Sequence, residues 1–239
     1  MKVSVCIATY NGERYVRDQI RSILSQIDQN DEIIISDDSS TDQTLQIIRS
    51  FNDKRIKIFA NQKFKNPIFN FENAIKNANG EYIFLSDQDD VWKENKVKVM
   101  LAALSEHDLV VSNAQIGDES LNVIRESYFE WRRSRTGILK NLVRNSYLGC
   151  CMAFNRNILQ LVLPFPKIIP MHDMWIGMIA EIHYRPVFIE DKLMIYRRHG
   201  GNVTVLNEDF TSNESLISKL KFRVNLIIAV LKRSIKSSK

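Results

Sequence analysis

Glu32-Ile33-Ile34-Ile35-Ser36, followed at once by Asp37-Asp38, is the stretch that decides the fold. Its apolar residues run without alternation, the pattern of a strand buried on both faces, and such strands belong to parallel sheets. Upstream, Val3-Ser4-Val5-Cys6-Ile7-Ala8 is a second β-rich run that stops at Tyr10-Asn11-Gly12, a turn signal. Between the two, Ile20, Ile23, Leu24 and Ile27 recur at helical spacing and predict a helix over 13–27. Downstream, Ser39-Ser40-Thr41-Asp42 supplies capping residues for a helix over 43–51. Ile56 to Ala60 reads as another strand. Asn66-Pro67 opens a helix to about Ala78, with Gly80 as its C-terminal cap, and Tyr82 to Ser86 is a fourth apolar strand.

Strand and helix alternating at this spacing predict βαβ units, hence an α/β fold with a mostly parallel central sheet and helices on both faces. The polar clusters Thr9-Tyr10-Asn11, Asp37-Asp38 and Asp87 to Asp90 fall where the strands end. Ligands of open α/β sheets bind at those carboxyl edges. The second half is less regular. A strand is expected over 109–113, a basic stretch ending in a short helix over 131–144, and a strand-like run over 147–154. Asn155 would cap a helix to Leu163. A helix over 172–182 and a hairpin built from 185–189 and 192–196 then follow.

The chain has 239 residues, of which 44% are hydrophobic and 26% charged, ordinary values for one globular domain. Its three cysteines, Cys6, Cys150 and Cys151, form neither a disulfide framework nor a zinc motif, which suits a reducing compartment. Met1 to Ala8 reads as a strand rather than a signal peptide, and no window reaches the ~18–20 apolar residues of a membrane span. No two of the eight glycines are spaced as GxG and none precedes Lys-Ser or Lys-Thr, so the dinucleotide fingerprint and the P-loop are absent. GxSxG and HExxH are absent too.

Asp87, Asp89 and Asp90 lie within four residues at the end of a strand. Carboxylates so close raise one another's pKa unless a cation compensates, and oxygen ligands suit Mg²⁺ or Mn²⁺. The alternative is that Asp89 or Asp90 merely caps a helix starting near Lys93.

The segments Ala8-Thr9-Tyr10-Asn11-Gly12-Glu13, Ser36 to Asp42 and Ser86-Asp87-Gln88-Asp89-Asp90-Val91-Trp92 together resemble the family-2 glycosyltransferases of the GT-A fold. The resemblance resumes at His172-Asp173 and at Tyr196-Arg197-Arg198-His199-Gly200-Gly201-Asn202. It implies a Rossmann-like nucleotide-diphospho-sugar transferase fold and an inverting, metal-dependent transfer of a sugar to an acceptor hydroxyl. It further implies that Ala8, Thr9, Tyr10, Asn11 and Glu13 line the nucleotide pocket and that Asp38, or else Asp37, accepts the N3–H of uracil or thymine. Asp87 would contact ribose or sugar, Arg197 the diphosphate, and Asp89 with His199 the Mn²⁺ or Mg²⁺. Asp173 corresponds to the catalytic base, although many relatives have Glu-Asp where this chain has His172-Asp173. As a first-turn acid, Asp173 would also suit the helix dipole alone. Gly149, Cys150, His172 and Trp175 are the acceptor-side candidates, Trp175 for stacking on a sugar ring. The motif forms look most like rhamnosyltransferases, so dTDP-rhamnose or a UDP-hexose is the expected donor.

The formal charge of +5 invites a nucleic-acid reading, but its location argues otherwise. From Leu216 on, seven Lys and Arg stand with no acid; a tail of +7 within a total of +5 leaves −2 on the rest. In that tail Leu216, Leu220, Val224, Ile227, Leu231 and Ile235 make one apolar stripe. A basic amphipathic helix of this kind fits an anionic membrane surface, or else packs on its own domain. The expected organisation is a transferase domain over 1–215, with a nucleotide-sugar half (1–114) and an acceptor half (115–215), and a C-terminal helix over 216–239. The expected setting is the cytoplasmic face of a bacterial membrane, acting on a lipid-linked saccharide in surface polysaccharide synthesis and on no nucleic acid. A catalytically silent sugar-nucleotide-binding module is the alternative, and a basic nucleic-acid-binding protein a more distant one.

Overall fold

The computed structural model describes residues 2–200 and 216–237, with side chains of the last helix described at 221 and 223–235. In chain order the elements are β1 (Val3–Thr9), α1 (Val16–Leu24), β2 (Glu32–Asp37), α2 (Thr44–Ser50), β3 (Ile56–Phe59) and α3 (Pro67–Asn77). Then come β4 (Tyr82–Ser86), β5 (Val91–Trp92), α4 (Lys96–Leu104), β6 (Leu109–Gly117), β7 (Val123–Arg125), α5 (Tyr128–Arg132) and α6 (Ile138–Val143). The chain continues through β8 (Met152–Asn155), α7 (Leu159–Val162), α8 (His172–His183), β9 (Pro186–Arg197) and α9 (Leu216–Ser237).

One sheet carries them all in the order β3-β2-β1-β4-β8-β6-β9-β5, with β7 on β6. The four strands β3, β2, β1 and β4 are mutually parallel, as the uninterrupted apolar runs require. Val5, Ile7, Ile33, Ile34, Ile35, Ile83, Phe84 and Leu85 are wholly buried. Each such side chain contributes roughly 1.5–3 kcal/mol relative to exposure. That block outweighs the exposed ion pairs, such as Arg14 with Glu119, at ~0–1 kcal/mol each. β8 enters antiparallel between β4 and β6, and β6 then pairs β9 in parallel.

Several local expectations are revised. α1 starts at Val16 because Tyr15 and Val16 N–H both turn back to Gly12 O. The expected hairpin is a single twelve-residue strand, β9, whose register against β6 shifts between Ser112 and Gln115. Glu190 and Asp191, exposed and turn-like in sequence, ride that irregularity. Within the run expected as a strand over 147–154, Gly149–Cys151 forms a 3₁₀ turn and only β8 is extended. The expected division at 114 and 115 falls inside β6. Gly201 and Asn202, and the side chains of Leu216 and Leu220, lie outside the described residues.

Gly80 is no helix cap; α3 ends at Ala78 in an extended conformation. Its role is close approach to β1: a Cβ there would lie 2.6 Å from Ser4 N and 2.8 Å from Lys2 O. Nearby, the buried Glu32 carboxylate accepts from Ser4 Oγ, Lys57 Nζ and Asn79 N–H, each at 2.6 Å. Burial opposes its ionisation, but these partners outweigh burial and draw its pKa to about 2. Gly80→Ala therefore forces backbone against backbone, and a loss of ~1–3 kcal/mol is expected as a lower Tm. An unchanged melting curve would remove the close-approach argument.

Candidate active site

The carboxyl ends of β1, β2 and β4 open into one cavity of about 630 Å³. Ala8, Thr9 and Tyr10 enter it from β1, Asp38 and Ser39 from β2, and Asp87, Gln88 and Asp89 from β4. Gly149 and, in the first turn of α8, His172 and Asp173 line it from the second half of the chain. The rim predicted from three strand ends is thus one space, shared with the predicted base.

Asp37 and Asp38 divide the work at the end of β2. Asp37 is fully buried and accepts from Thr9 Oγ1 at 2.8 Å and from Ser40 Oγ at 2.6 Å, knitting two loops together. Asp38 lines the cavity, and its two oxygens receive Phe64 N–H (2.7 Å) and Asn66 N–H (3.3 Å), which fixes the loop before α3. Asn11 and Glu13 are not among the residues lining the cavity. Asn11 Oδ1 accepts Thr41 N–H at 2.9 Å, and Glu13 Oε2 accepts Gln43 N–H at 2.8 Å, satisfying a donor at the start of α2.

Gln88 was not singled out as a site residue. Its side-chain amide accepts Tyr10 N–H at 2.9 Å and donates to Tyr10 O at 3.0 Å, so it clamps the β1 and β4 loops together. Gly12 leaves room for it: a Cβ would lie 2.3 Å from Gln88 Oε1. Lys63, Lys65, Asn70 and Tyr196 also line the cavity and were missed. For Lys63 and Lys65 the available signal was the polar loop following β3, a further strand end on the same rim; Asn70 lies in α3 and Tyr196 in β9.

The acidic turn is crowded. Burial, then the carboxylates of Asp89 and Asp173, push Asp87 up to about 7. Burial, then the carboxylates of Asp89 and Asp87, push Asp90 up as well; its Oδ1 accepts Arg197 N–H at 2.9 Å, while Oδ2 is buried without a hydrogen-bond partner. His199 Nε2 stands 2.8 Å from Asp89 Oδ2. Oxygen atoms of Asp87 and Asp90 also lie within 4.8 Å of each other and of Cys150 Sγ, but burial pushes that thiol up and keeps its proton on. A donor set of crowded carboxylates with an orphaned oxygen fits a hard divalent cation.

Arg197 does not line the cavity. Nearly buried, it donates from Nε to Asp89 O at 2.8 Å and from Nη1 to Glu119 O at 2.7 Å, holding the acidic turn. Cys150 and Trp175 are wholly buried. Trp175 Nε1 donates to Val162 O at 2.9 Å, so its ring is part of the core; the expectation that it stacks on a sugar is corrected.

His172 and Asp173 carry unusual electrostatics. His172 is 4% exposed, stacks on Phe71 at 4.1 Å, and neither ring nitrogen has a hydrogen-bond partner. Burial drives its pKa down to about 3, so the ring is neutral, with one donor and one acceptor to offer. Gly149 admits it, since a Cβ there would lie 2.7 Å from His172 Nε2. Burial raises Asp173 to about 6, against the opposing bonds from Met174 N–H, Gly149 N–H and the Asn145 side chain.

The fold is that of the GT-A glycosyltransferases. The S. aureus TarS 1-349 structure in complex with UDP-GlcNAc superposes with a TM-score of 0.71 over 96% of this chain and 72% of that one, at 21% identity. Residues 4–163 match Glycosyl transferase family 2, and the chain belongs to that family. It is 31% identical over 228 residues to the dTDP-rhamnosyl transferase RfbG of Shigella flexneri, covering 85% of this chain and 75% of that protein. It is 32% identical over 107 residues to the UDP-Glc:alpha-D-GlcNAc-diphosphoundecaprenol beta-1,3-glucosyltransferase WfgD of Escherichia coli, covering 45% of this chain and 42% of that one.

The raised pKa of Asp173 has a stability consequence with a definite sign. An aspartate at about 6 in the folded chain and 3.8 unfolded is destabilising once both states are ionised, and neutral in effect below pH 3.8. Asp173→Asn removes that penalty. The variant is expected to be more stable than the parent by ~1–3 kcal/mol at pH 8, the gap closing toward pH 4. Urea titrations at the two pH values check this, and a gap independent of pH would refute it.

Proposed function

We propose that this glycosyltransferase moves a sugar, with inversion at the anomeric carbon, from a nucleoside-diphosphate donor to a hydroxyl of a lipid-linked saccharide. The observation that carries the reading is that Asp173, with a pKa suited to a base near neutrality, shares one cavity with Asp38, Asp87 and Asp89. Asp38 would take the N3–H of a uracil or thymine ring, and Lys63 and Lys65 bring positive charge to the same cavity. dTDP-rhamnose or a UDP-hexose is the donor, a choice supported by the names of RfbG and WfgD.

Asp173 removes the acceptor proton as that oxygen attacks the anomeric carbon, and the bond from that carbon to the diphosphate breaks on the opposite side. Neutral His172 offers a hydrogen bond to a sugar hydroxyl without adding charge beside the base. Mn²⁺ or Mg²⁺, held by Asp89 with His199 and the neighbouring acids, would supply Lewis-acid neutralisation of the leaving diphosphate. Gln88 and Arg197 act indirectly, by fixing the loops that carry Tyr10 and Asp89.

α9 supports a peripheral position on the inner face of the cell membrane, in bacterial surface polysaccharide synthesis. It packs on its domain through Leu226 and Val230, with Arg233 Nη1 donating to Leu161 O and Leu163 O at 2.7 Å. Val224, Ile227, Leu231 and Ile235, from the predicted stripe, remain exposed, as does Ile228. No helix among the described residues is long and apolar enough to cross a membrane.

Nucleoside-diphosphate release from dTDP- and UDP-sugars, with and without Mn²⁺, tests the chemistry. Transfer is expected to rise with pH through about 6 and level off above it, since Asp173 must be ionised to act. Asp173→Ala should lose roughly 10²–10⁴-fold in transfer while still binding the nucleotide, and Asp89→Ala should lose the Mn²⁺-dependent part of nucleotide affinity. Retained transfer in the Asp173 variant would overturn the assignment of the base. Ile227→Asp with Leu231→Asp is expected to cut sedimentation with phosphatidylglycerol vesicles by about tenfold or more, with Tm unchanged. Equal sedimentation would refute the membrane face.

A further inference from the structure

A second pocket, of about 740 Å³, opens outside the donor cavity between α5 and α6. Its wall carries Arg132, Arg133, Arg135, Lys140 and Arg144 and no carboxylate. None of these five cations is in an ion pair among the described residues. Burial, and then Arg132, Arg144 and Arg135, hold the Lys140 ammonium down to about 8. Glu181 acts on Lys140 from nearby, but its Oε1 already accepts Gly137 N–H at 2.6 Å and the Tyr147 hydroxyl at 2.9 Å. Five like charges gathered with none of them ion-paired form a site for a multiply charged anion.

Two further features say which anion. First, the same pocket is lined by Leu139 and Val143, which are 79% and 72% exposed. Arg223 of α9 donates to Val143 O at 2.6 Å, so the apolar edge of the pocket adjoins the helix that carries the exposed stripe. Second, the pocket borders the base: Arg132 acts on the Asp173 carboxyl and donates to Asn145 O at 3.4 Å, and the Asn145 side chain bonds the Asp173 carboxylate.

We propose that this basic pocket binds the diphosphate of the lipid-linked acceptor, with the saccharide directed toward Asp173 and the lipid chain leaving over Leu139, Val143 and α9. The inference rests on the acceptor reading above and names the group through which that acceptor is held. Guanidinium groups suit the task because they pair with phosphate oxygens in two-point contacts.

The test uses the full chain and calorimetric titration with farnesyl diphosphate, farnesol and inorganic pyrophosphate, alongside UDP and dTDP with Mn²⁺. Arg133→Gln with Arg135→Gln changes two exposed side chains. The double variant is expected to bind farnesyl diphosphate about tenfold more weakly or worse, with UDP or dTDP affinity and Tm unchanged. The Arg133→Lys, Arg135→Lys variant should recover most of the loss. In the parent, farnesyl diphosphate should bind about tenfold tighter than pyrophosphate, because the chain adds apolar contact. Equal farnesyl diphosphate affinity in parent and double variant would overturn the site. Pyrophosphate binding as tightly as farnesyl diphosphate would overturn the lipid assignment in favour of free phosphate. The donor reading fails separately, through absent UDP and dTDP binding in the parent, which leaves the pocket result standing.

Discussion

The buried guanidinium of Arg197 is the contact on which the rest of the active site depends. It donates to Asp89 O and Glu119 O, lies over the Tyr15 ring at 4.7 Å, and its own backbone N–H bonds the Asp90 carboxylate. Four segments meet there: the turn after β4, the end of β9, the loop after β6, and the approach to α1. Three aspartates within four residues repel one another, and Arg197 holds the backbone of their turn in place through Asp89 O while its own N–H bonds the Asp90 carboxylate. From the same anchor, His199 reaches Asp89 two residues beyond Arg197, and Gln88 reaches across to Tyr10. The topology makes the anchor possible. β9 pairs with β6 in parallel over a long stretch, which carries Arg197 back to the carboxyl end of the sheet, where β4 also ends.

What could be read in the sequence follows from how each element is stabilised. β1, β2 and β4 are apolar on both faces, and only a covered parallel sheet satisfies such runs, so the first half was legible. The capping Asn66 before Pro67 was equally plain, and its Oδ1 does accept Ile68 N–H at 2.9 Å. The second half obeys contacts that local pattern does not encode. Glu190 and Asp191 look like a turn, yet β9 runs through them because its partner β6 absorbs the irregularity. Gly80 looks like a helix cap, yet what it meets is the backbone of β1.

The candidate site divides along the same line. Acids at strand ends were legible because their position, not their contacts, marks them. Trp175 was misread because an aromatic residue two places after a first-turn acid faces inward on this helix and not toward the acid's cavity. Glu13 and Asn11, expected at the nucleotide pocket, accept the N–H groups of Gln43 and Thr41 and are not among the residues lining the cavity. The neutrality of His172 could not be inferred from its identity at all. It arises from stacking on Phe71 and from the gap left by Gly149, both distant in sequence.

The opposing signs of the two pockets have a chemical consequence. Carboxylates at the β4 turn repel a diphosphate, so an anion at that rim is favoured by compensating positive charge, part of which Lys63 and Lys65 on the same cavity wall supply. The pocket between α5 and α6 meets an anion with guanidinium groups already in place and needs no ion. A chain handling two phosphate-bearing partners could therefore keep them apart in part by the charge each site presents. Under the proposed function, a divalent cation would favour the nucleotide at the acidic rim, and the arginines would receive the acceptor's phosphates without one. The net charge of the whole protein hides this arrangement, because acids and bases that partly cancel in the sum are separated between the acidic rim and the basic pocket.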